Sequence, residues 1–481
     1  MFYWSIVLIA VDWLVRIGLV MRVIHRRLSV SETLAWMWMI LLFPVFGAIL
    51  YLMFGEVLIG NRRKLYATRV FPELSSWLRD VQPRAVQNWA PDQIDQQSMA
   101  TLVSRAVGMP PLPDNQLELL ESGIETIDRM IDDVVNAERS AYLEFYIWEQ
   151  GGFTGRLVSA LADAAKRGID CRVLVDYLAS RRFLKSDDAK TLRDAGVKVE
   201  SALKVGLFRW LFSRFDVRLH RKIVVIDESI GYAGSQNMVD PLIFKQSSKV
   251  GQWVDAMVRV EGEAAEALLA TFLGDWQVER SEGMEQLRRA YEVTPIDQKR
   301  SAIVQVIPTG PTVNSEAARQ IIVNMIFCAR RQLILTTPYY VPDENLQMAL
   351  VSAAQRGVDV TLVVPKKVDS RLVSWVSEPF QRDLVASGVR VMEFGGGLLH
   401  TKSITVDDRI SLFGSLNLDL RSLRINFEIT LAIYDQSFTN QLRRLQQSYI
   451  TKSEERTEST ERATLPWRFV RNAARLLAPL L

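Results

Sequence analysis

The chain has 481 residues, more than one ordinary hydrophobic core accommodates, so two or more folded units are expected. Hydrophobic residues make up 48% and charged residues 23%, the balance of a globular protein, and a net charge of +3 is too small to mark a polyanion-binding protein by itself. The two cysteines, Cys171 and Cys328, sit in apolar surroundings without a Cys-x-x-Cys spacing, which argues against a disulfide framework and a zinc site and for buried thiols in a reducing compartment.

Residues 2–23 and 33–59 are almost continuously apolar, and each is long enough to cross a bilayer, which takes about 20 helical residues. A cleaved signal peptide is the alternative for the first stretch, but the second follows at once and no small-residue cleavage site intervenes. A two-helix transmembrane hairpin over residues 1–60 is therefore expected. Asp12 and Arg16 interrupt the first span at i, i+4 and can face each other. Pro44 should kink the second. Trp4, Trp13, Trp36 and Trp38 suit interfacial positions. The turn carries Arg22, Arg26 and Arg27, against Arg62, Arg63, Lys64 and Arg69 downstream, a bias that favours a cytoplasmic main body.

Residues 61–111 read as a linker region with some helix, ending in the loop "GMPPLPDN". A duplication follows. "AAKRGIDCRVLVD" (164–176) matches "AAQRGVDVTLVVP" (353–365), and "LRDAGVKV" (192–199) matches "LVASGVRV" (384–391). More loosely, "RSAYLEFYIW" (139–148) matches "RQLILTTPYY" (331–340). Each half runs amphipathic helix, apolar strand, helix stopped at Arg-Gly, apolar strand. That alternation predicts two similar α/β units in tandem, over 112–290 and 291–455, each with a largely parallel sheet flanked by helices.

Both halves then reach the same pattern. "RLHRKIVVID" (218–227) and "LLHTKSITVD" (398–407) each read His, one residue, Lys, four residues, Asp, and they hold two of the three histidines in the chain. In a strand His220 and Lys222 share a face, as do His400 and Lys402. A turn follows, at Asp227 and at Asp407. A return strand then ends in Gly234-Ser235-Gln236-Asn237 and in Gly414-Ser415-Leu416-Asn417. His25 lies between the apolar stretches and is unrelated to this pattern. The last segment, 456–481, contains "LPWRFVRNAARLLAPLL". Trp467, Val470, Ala474 and Leu477 form one helical stripe there and Arg468, Arg471 and Arg475 another. Such a tail either lies on an anionic membrane or packs on the main body.

An imidazole, an ammonium, a hydroxyl and an amide at the end of one hairpin suit a phosphate diester. Lys222, Lys402, Asn237 and Asn417 can hold non-bridging oxygens and stabilise transition-state charge. Ser235 and Ser415 can join them or merely satisfy a turn. A neutral imidazole can attack phosphorus, and a protonated one can give its proton to the leaving alkoxide. One motif cannot fill both histidine roles, whereas two facing each other across a pseudo-twofold axis can. No metal or other cofactor need be invoked. A carboxylate should orient each imidazole through its second nitrogen, and Asp255 and Glu428, each in an apolar strand, are the candidates. Asp227 and Asp407 complete the motif and are grouped with its catalytic set, although their place at the turn, a strand length from the imidazole, suits a structural role.

The duplicated motif resembles the phospholipase D superfamily. The amino-terminal apolar pair, the "PPLPDN" stretch and the Trp/Arg-rich tail narrow the resemblance, across essentially the whole chain, to bacterial cardiolipin synthases. It implies phosphatidyl transfer between two phosphatidylglycerol molecules through a phosphohistidine, giving cardiolipin and glycerol. By analogy His220 is the nucleophile and His400 the acid and then base, an order that the sequence alone leaves symmetric. Asp255 and Glu428 are carried over as histidine orienters. Glu428 lies 28 residues after His400, the spacing of short members, and Asp255 lies 35 after His220, which departs from it. The partners implied are phosphatidylglycerol and membrane lipids, not nucleic acid, and a homo-oligomer is left open. A phospholipase D-type hydrolase, a transferase with another acceptor, a nuclease and a catalytically dead membrane scaffold stay as alternatives. The apolar spans speak against the nuclease and the intact motifs against the scaffold.

Overall fold

The computed structural model describes residues 2–26, 30–55, 65–204, 216–244, 248–280, 282, 302–312, 314–457 and 473. The tail stripe of 467–477 therefore lies outside the described residues, apart from 473. The helices before residue 56 form one compact unit, and the residues from 65 onward, apart from 216 and 217, form another.

In the first unit, α1 (Phe2–His25) is followed by α2 (Val30–Leu42) and α3 (Pro44–Leu50). Asp12 and Arg16 pair as their spacing predicts, and Arg16 also donates to the Leu41 carbonyl at 2.9 Å, tying α1 to the end of α2. Pro44 does more than kink the second apolar stretch. Phe43 leaves helical geometry at φ −125°, ψ 72°, and Pro44 starts a new helix as its first residue, where a missing N–H costs nothing. Among the described residues no helix is long and apolar enough to cross a membrane. Large apolar side chains nevertheless stand exposed along the unit, among them Trp4, Leu8, Leu14, Trp38 and Val45.

Residues 65–111 pack as part of the second unit. The helices α4 (Phe71–Val81) and α5 (Ile94–Val107) lie here. The Trp77 indole donates to Glu266 at 2.6 Å, and the Gln305 amide donates to the carbonyls of Ala100 and Met109. Met99, Ala100 and Val103 join the core of the second half. Only Pro110 and Pro111 of the "PPLPDN" stretch are loop. Leu112 opens a strand with a bulge, Asp114 takes the left-handed conformation at φ 57°, and Asn115 donates to Leu112, Pro113 and Ala302 carbonyls.

The duplication is plain in the sheet. The first half supplies β1 (Leu112–Leu120), β2 (Ser140–Phe145), β3 (Asp170–Asp176), β4 (Lys198–Ala202), β5 (Ile223–Ile226), β6 (Ile230–Gly234), β7 (Trp253–Val254) and β8 (Met257–Gly262). The second supplies β9 (Ala302–Thr309), β10 (Gln332–Thr336), β11 (Tyr340–Val341), β12 (Asp359–Pro365), β13 (Arg390–Phe394), β14 (Leu398–Leu399), β15 (Ser403–Val406), β16 (Ile410–Gly414), β17 (Leu418–Asp419), β18 (Glu428–Ile433) and β19 (Ser453–Glu455). Described strands form one 15-stranded sheet, ordered β19-β13-β12-β10-β15-β16-β18-β9-β1-β8-β6-β5-β2-β3-β4. Read outward from the β9–β1 pair, the two sides repeat the same order, strand for strand, apart from the extra edge strand β19.

The sheet is mixed, not largely parallel. Only β2-β3-β4 and β10-β12-β13 run parallel in it, with helices such as α6 (Gly123–Val135) and α7 (Phe153–Lys166) beside them. The strands that carry the His motifs return through short turns, and a short turn can join only antiparallel neighbours. The Arg-Gly stops behave as expected: Gly168 at φ 94° and Gly357 at φ 86° end matching helices in the left-handed region. Cys171 and Cys328 are buried free thiols. Behind the centre of the sheet, Glu263–Arg280 forms a helix buried over most of its length, including Leu268, Leu269, Phe272 and Trp276.

The motif aspartates hold turns. Asp227 and Glu228 both have positive φ (49° and 65°), as do Asp407 and Asp408 (49° and 59°). The Asp227 carboxylate accepts the backbone N–H groups of Glu138, Arg139 and Ser140 at 2.7–2.9 Å, and Asp407 accepts those of Arg330, Arg331 and Gln332. Each aspartate thus pins its turn to the start of the neighbouring antiparallel strand, β2 or β10. Asp227→Ala or Asp407→Ala should lower stability by about 1–2 kcal/mol in urea denaturation. The activity of the molecules that remain folded should be retained.

Candidate active site

His220 and His400 are each set on a short extended segment just before a core strand, and each segment is stitched to the other half. Leu219 bridges to Phe427 in parallel, and the His220 N–H donates to the Phe427 carbonyl at 2.9 Å. Correspondingly, β14 pairs with β7, and the His400 N–H donates to the Val254 carbonyl at 2.8 Å. In both cases the stitched strand delivers a carboxylate. His220 Nδ1 lies 2.8 Å from Glu428 Oε2, and His400 Nδ1 lies 2.6 Å from Asp255 Oδ1. The orienters are therefore Asp255 and Glu428, but crossed. Spacing within one half does not identify the partner, because each carboxylate serves the histidine of the opposite half.

An ionised carboxylate only accepts, so each Nδ1 carries the proton and each Nε2 is left with its lone pair. Burial pushes both imidazoles down to about 4, against the pull of the facing carboxylates, so both rings are neutral near pH 7. Burial also opposes the charge of Asp255 and Glu428, but the facing imidazoles and buried lysines outweigh it. Asp255 is held down at about 2, and Glu428 below the usual carboxylate range.

The rest of the motif surrounds this pair. Ser235 donates to Asp255 Oδ1 at 2.6 Å and Ser415 to Glu428 Oε2 at 2.5 Å. The serines, expected beside a phosphate, instead complete two His–carboxylate–Ser chains. Each hydroxyl also accepts a backbone N–H, Ala256 for Ser235 and Ile429 for Ser415. Lys222 and Lys402 are buried and donate to the carbonyls of His220 and His400 at 2.7 and 2.6 Å. Burial pushes both ammonium groups down to about 7. Asp227 and Asp407, grouped with the catalytic set on the motif, stay at their turns, outside the cavity wall.

Both histidines line one cavity of about 490 Å³, together with Asn237 and Asn417. The common site that the duplicated motif requires is therefore present. Its wall also contains residues that the motif did not reveal. Tyr146 meets the His220 ring edge-on at 4.8 Å, and Trp253 lies 4.4 Å from the His400 ring. Arg218, Tyr339, Asp369, Asp419, Arg421 and Asn426 complete the polar lining. Two of these were findable in the repeat: Trp253 and Asn426 each stand two residues before the orienting carboxylate. Among the described residues no group of acidic, His and Cys side chains could hold a metal ion.

A family model described as "Cardiolipin synthase, PLD-like domain" matches residues 130–276 and 322–449. Another, described as phospholipase D-nuclease N-terminal, matches residues 6–56. The chain is 40% identical to cardiolipin synthase A of Pectobacterium atrosepticum over 441 residues, covering 92% of this chain and 91% of that protein. It is 40% identical to cardiolipin synthase A of Edwardsiella ictaluri over 442 residues, with the same shares covered. Among solved structures, phosphatidylserine synthase of Haemophilus influenzae Rd KW20 superposes with a TM-score of 0.58 at 18% identity, over 80% of this chain and 100% of that one.

The crossed pairing makes a prediction that an uncrossed site does not share. In ¹⁵N-imidazole NMR of the full-length protein, Asp255→Asn should change the tautomer and titration of His400, and Glu428→Gln those of His220. Each substitution should leave the histidine of its own half largely undisturbed.

Proposed function

The chain belongs to the family of PLD-like cardiolipin synthases, and we infer that it joins two phosphatidylglycerol molecules into cardiolipin, releasing glycerol. The observation that carries the chemistry is the sharing of one cavity by two imidazoles, each with its Nδ1 engaged and its Nε2 left for reaction.

In the reading we favour, His220 Nε2 attacks the phosphorus of the donor, and the bond to the headgroup glycerol oxygen breaks. His400 gives that oxygen its proton. The diester phosphate is now bonded to His220 in place of glycerol. The terminal hydroxyl of a second phosphatidylglycerol then attacks phosphorus, His400 takes its proton, and the P–N bond breaks to give cardiolipin. Glu428 and Asp255 hold the tautomers and stabilise whichever ring becomes cationic; Ser415 and Ser235 hold the carboxylates. Lys222, Lys402, Asn237 and Asn417 offset the negative charge on the phosphate oxygens. Both rings are neutral in the empty site, so His400 is loaded as an acid only when the anionic diester enters and favours its protonated form.

The substrate is a lipid, and residues 1–60 are the part we assign to the membrane, as an apolar hairpin whose second arm is broken at Phe43. The exposed apolar surface of that unit supports this, with the catalytic units on the cytoplasmic side and the tail of 456–481 as a further membrane contact. The boundaries that fit this division are 112–290 and 291–455 for the two phospholipase D-like units.

Purified protein with phosphatidylglycerol in mixed micelles should yield cardiolipin and glycerol with little phosphatidic acid. His220→Ala should lower the rate by roughly three orders of magnitude or more. Phosphatidic acid as the main product would favour a hydrolase. An acid-quenched reaction with ³²P-labelled donor should leave the label on His220; label on His400 would reverse the assigned order. EDTA should not affect the rate. Because His400 must gain a proton that the empty site disfavours, kcat/KM should rise as pH falls from 7 toward about 4, and drop only below that, where His220 is protonated, well below the value of about 6.5 for a free imidazole. Above about 7 it should decline more steeply, as Lys222 and Lys402 lose their protons.

A further inference from the structure

Phosphorus chemistry accounts for the histidines, lysines and motif asparagines. It leaves over an arc of oxygen acceptors on the same cavity wall. The Tyr339 hydroxyl donates to Asp369 Oδ1 at 2.7 Å. Asp419, only 7% exposed, accepts the Ser422 N–H at 2.8 Å. Both Asp369 and Asp419 act on Tyr339 electrostatically, and Asp419 in turn feels Glu428. Asn426 closes the arc. Its Nδ2 donates to Glu428 Oε1 at 3.5 Å, which fixes the amide orientation, because the carboxylate must face the N–H side. The opposite atom, Asn426 Oδ1, is buried and has no hydrogen-bond partner among the described residues.

A phosphodiester offers acceptors and no donors, so it cannot satisfy Asn426 Oδ1, and the two carboxylates repel it. The groups such an arc takes are O–H donors. We propose that Tyr339, Asp369, Asp419 and Asn426 form a polyol subsite that holds the hydroxyls of the glycerol headgroup. The proposal rests on the phosphatidyl-transfer reading and deepens it. The leaving glycerol of the donor and the attacking glycerol of the acceptor occupy equivalent positions at phosphorus, so one subsite serves both half-reactions. An ammonium headgroup would also suit carboxylates, but Arg218 and Arg421 line the same cavity and repel a cation. Burial raises Asp419 to about 6, so near pH 7 it is still mostly ionised and accepts a hydrogen bond from a hydroxyl. The subsite also explains how a hydroxyl of glycerol competes with water: it is held beside the phosphorus before it reacts.

The test is a partition experiment on the full-length enzyme in detergent micelles. Phosphatidylglycerol is the donor, and deuterated glycerol, ethanol and ethanolamine compete at equal concentration. Mass spectrometry then counts the exchanged lipids and phosphatidic acid. All products arise from one intermediate, so their ratio does not depend on how much activity a variant keeps. The parent should favour glycerol over ethanol by about tenfold or more, and Tyr339→Phe, Asp369→Asn and Asn426→Leu should each move that ratio toward one. A tenfold change in ratio corresponds to about 1.4 kcal/mol. Unchanged ratios in all three variants, or ethanolamine outcompeting glycerol in the parent, would overturn the subsite. Cardiolipin is scored in the same samples. Its absence would overturn the transfer reading, while deuterated phosphatidylglycerol would still decide the subsite.

Discussion

Everything in the catalytic centre depends on an exchange between the two halves. Each half builds a serine and a carboxylate on its own strands and presents them to the histidine of the other: Ser235 and Asp255 to His400, Ser415 and Glu428 to His220. The backbone makes the same exchange through the Leu219–Phe427 bridge and the β14–β7 pair. A buried carboxylate without a partner is costly, and so is a buried imidazole with an unsatisfied N–H. Crossing the pairs satisfies both costs only when the halves are correctly docked. The geometry of the site and the association of the halves are thus one interaction.

The lysines add a second constraint. Lys222 and Lys402 are buried with their ammonium groups on the histidine carbonyls, and each feels the negative charge of Glu428 and Asp255. Two cations beside two carboxylates leave the centre near neutrality before substrate arrives. Burial still disfavours both ammonium groups, and an anionic phosphate beside them offsets that cost. A diester gains Coulombic attraction to them that a neutral group in the same place does not.

Much of this was legible in the sequence because duplication writes the same chemistry twice. The His-x-Lys-x4-Asp frame, the Gly-Ser-x-Asn ends and the Arg-Gly stops all correspond to equivalent positions in the folded halves. The candidates Asp255 and Glu428 were also visible, as lone acids in apolar strands. Their crossed assignment was not, because it is set by which strands lie side by side at the junction and not by distance along the chain. The same reason hid the mixed character of the sheet. Alternating helices and strands at the start of each half read as parallel, while the hairpins that follow carry the motif and run antiparallel. The part played by the serines stayed open for a subtler reason. A hydroxyl near a phosphate site and a hydroxyl behind a carboxylate have the same local sequence, and only the buried Oγ–carboxylate contacts distinguish them. Asp369 and Asp419 come from a loop and a strand end that no repeat singles out, and Tyr339, inside the loosely matched 331–340, has Ile147 as its counterpart, a residue without its chemistry.

The long reach of the Glu428–His220 contact, 208 residues along the chain, has a bearing on biosynthesis. The first half emerges from the ribosome with His220 but without the carboxylate that sets its tautomer. Until β18 has emerged and paired, the nascent polypeptide holds that imidazole without its partner, so the paired site cannot assemble before most of the second half has been made.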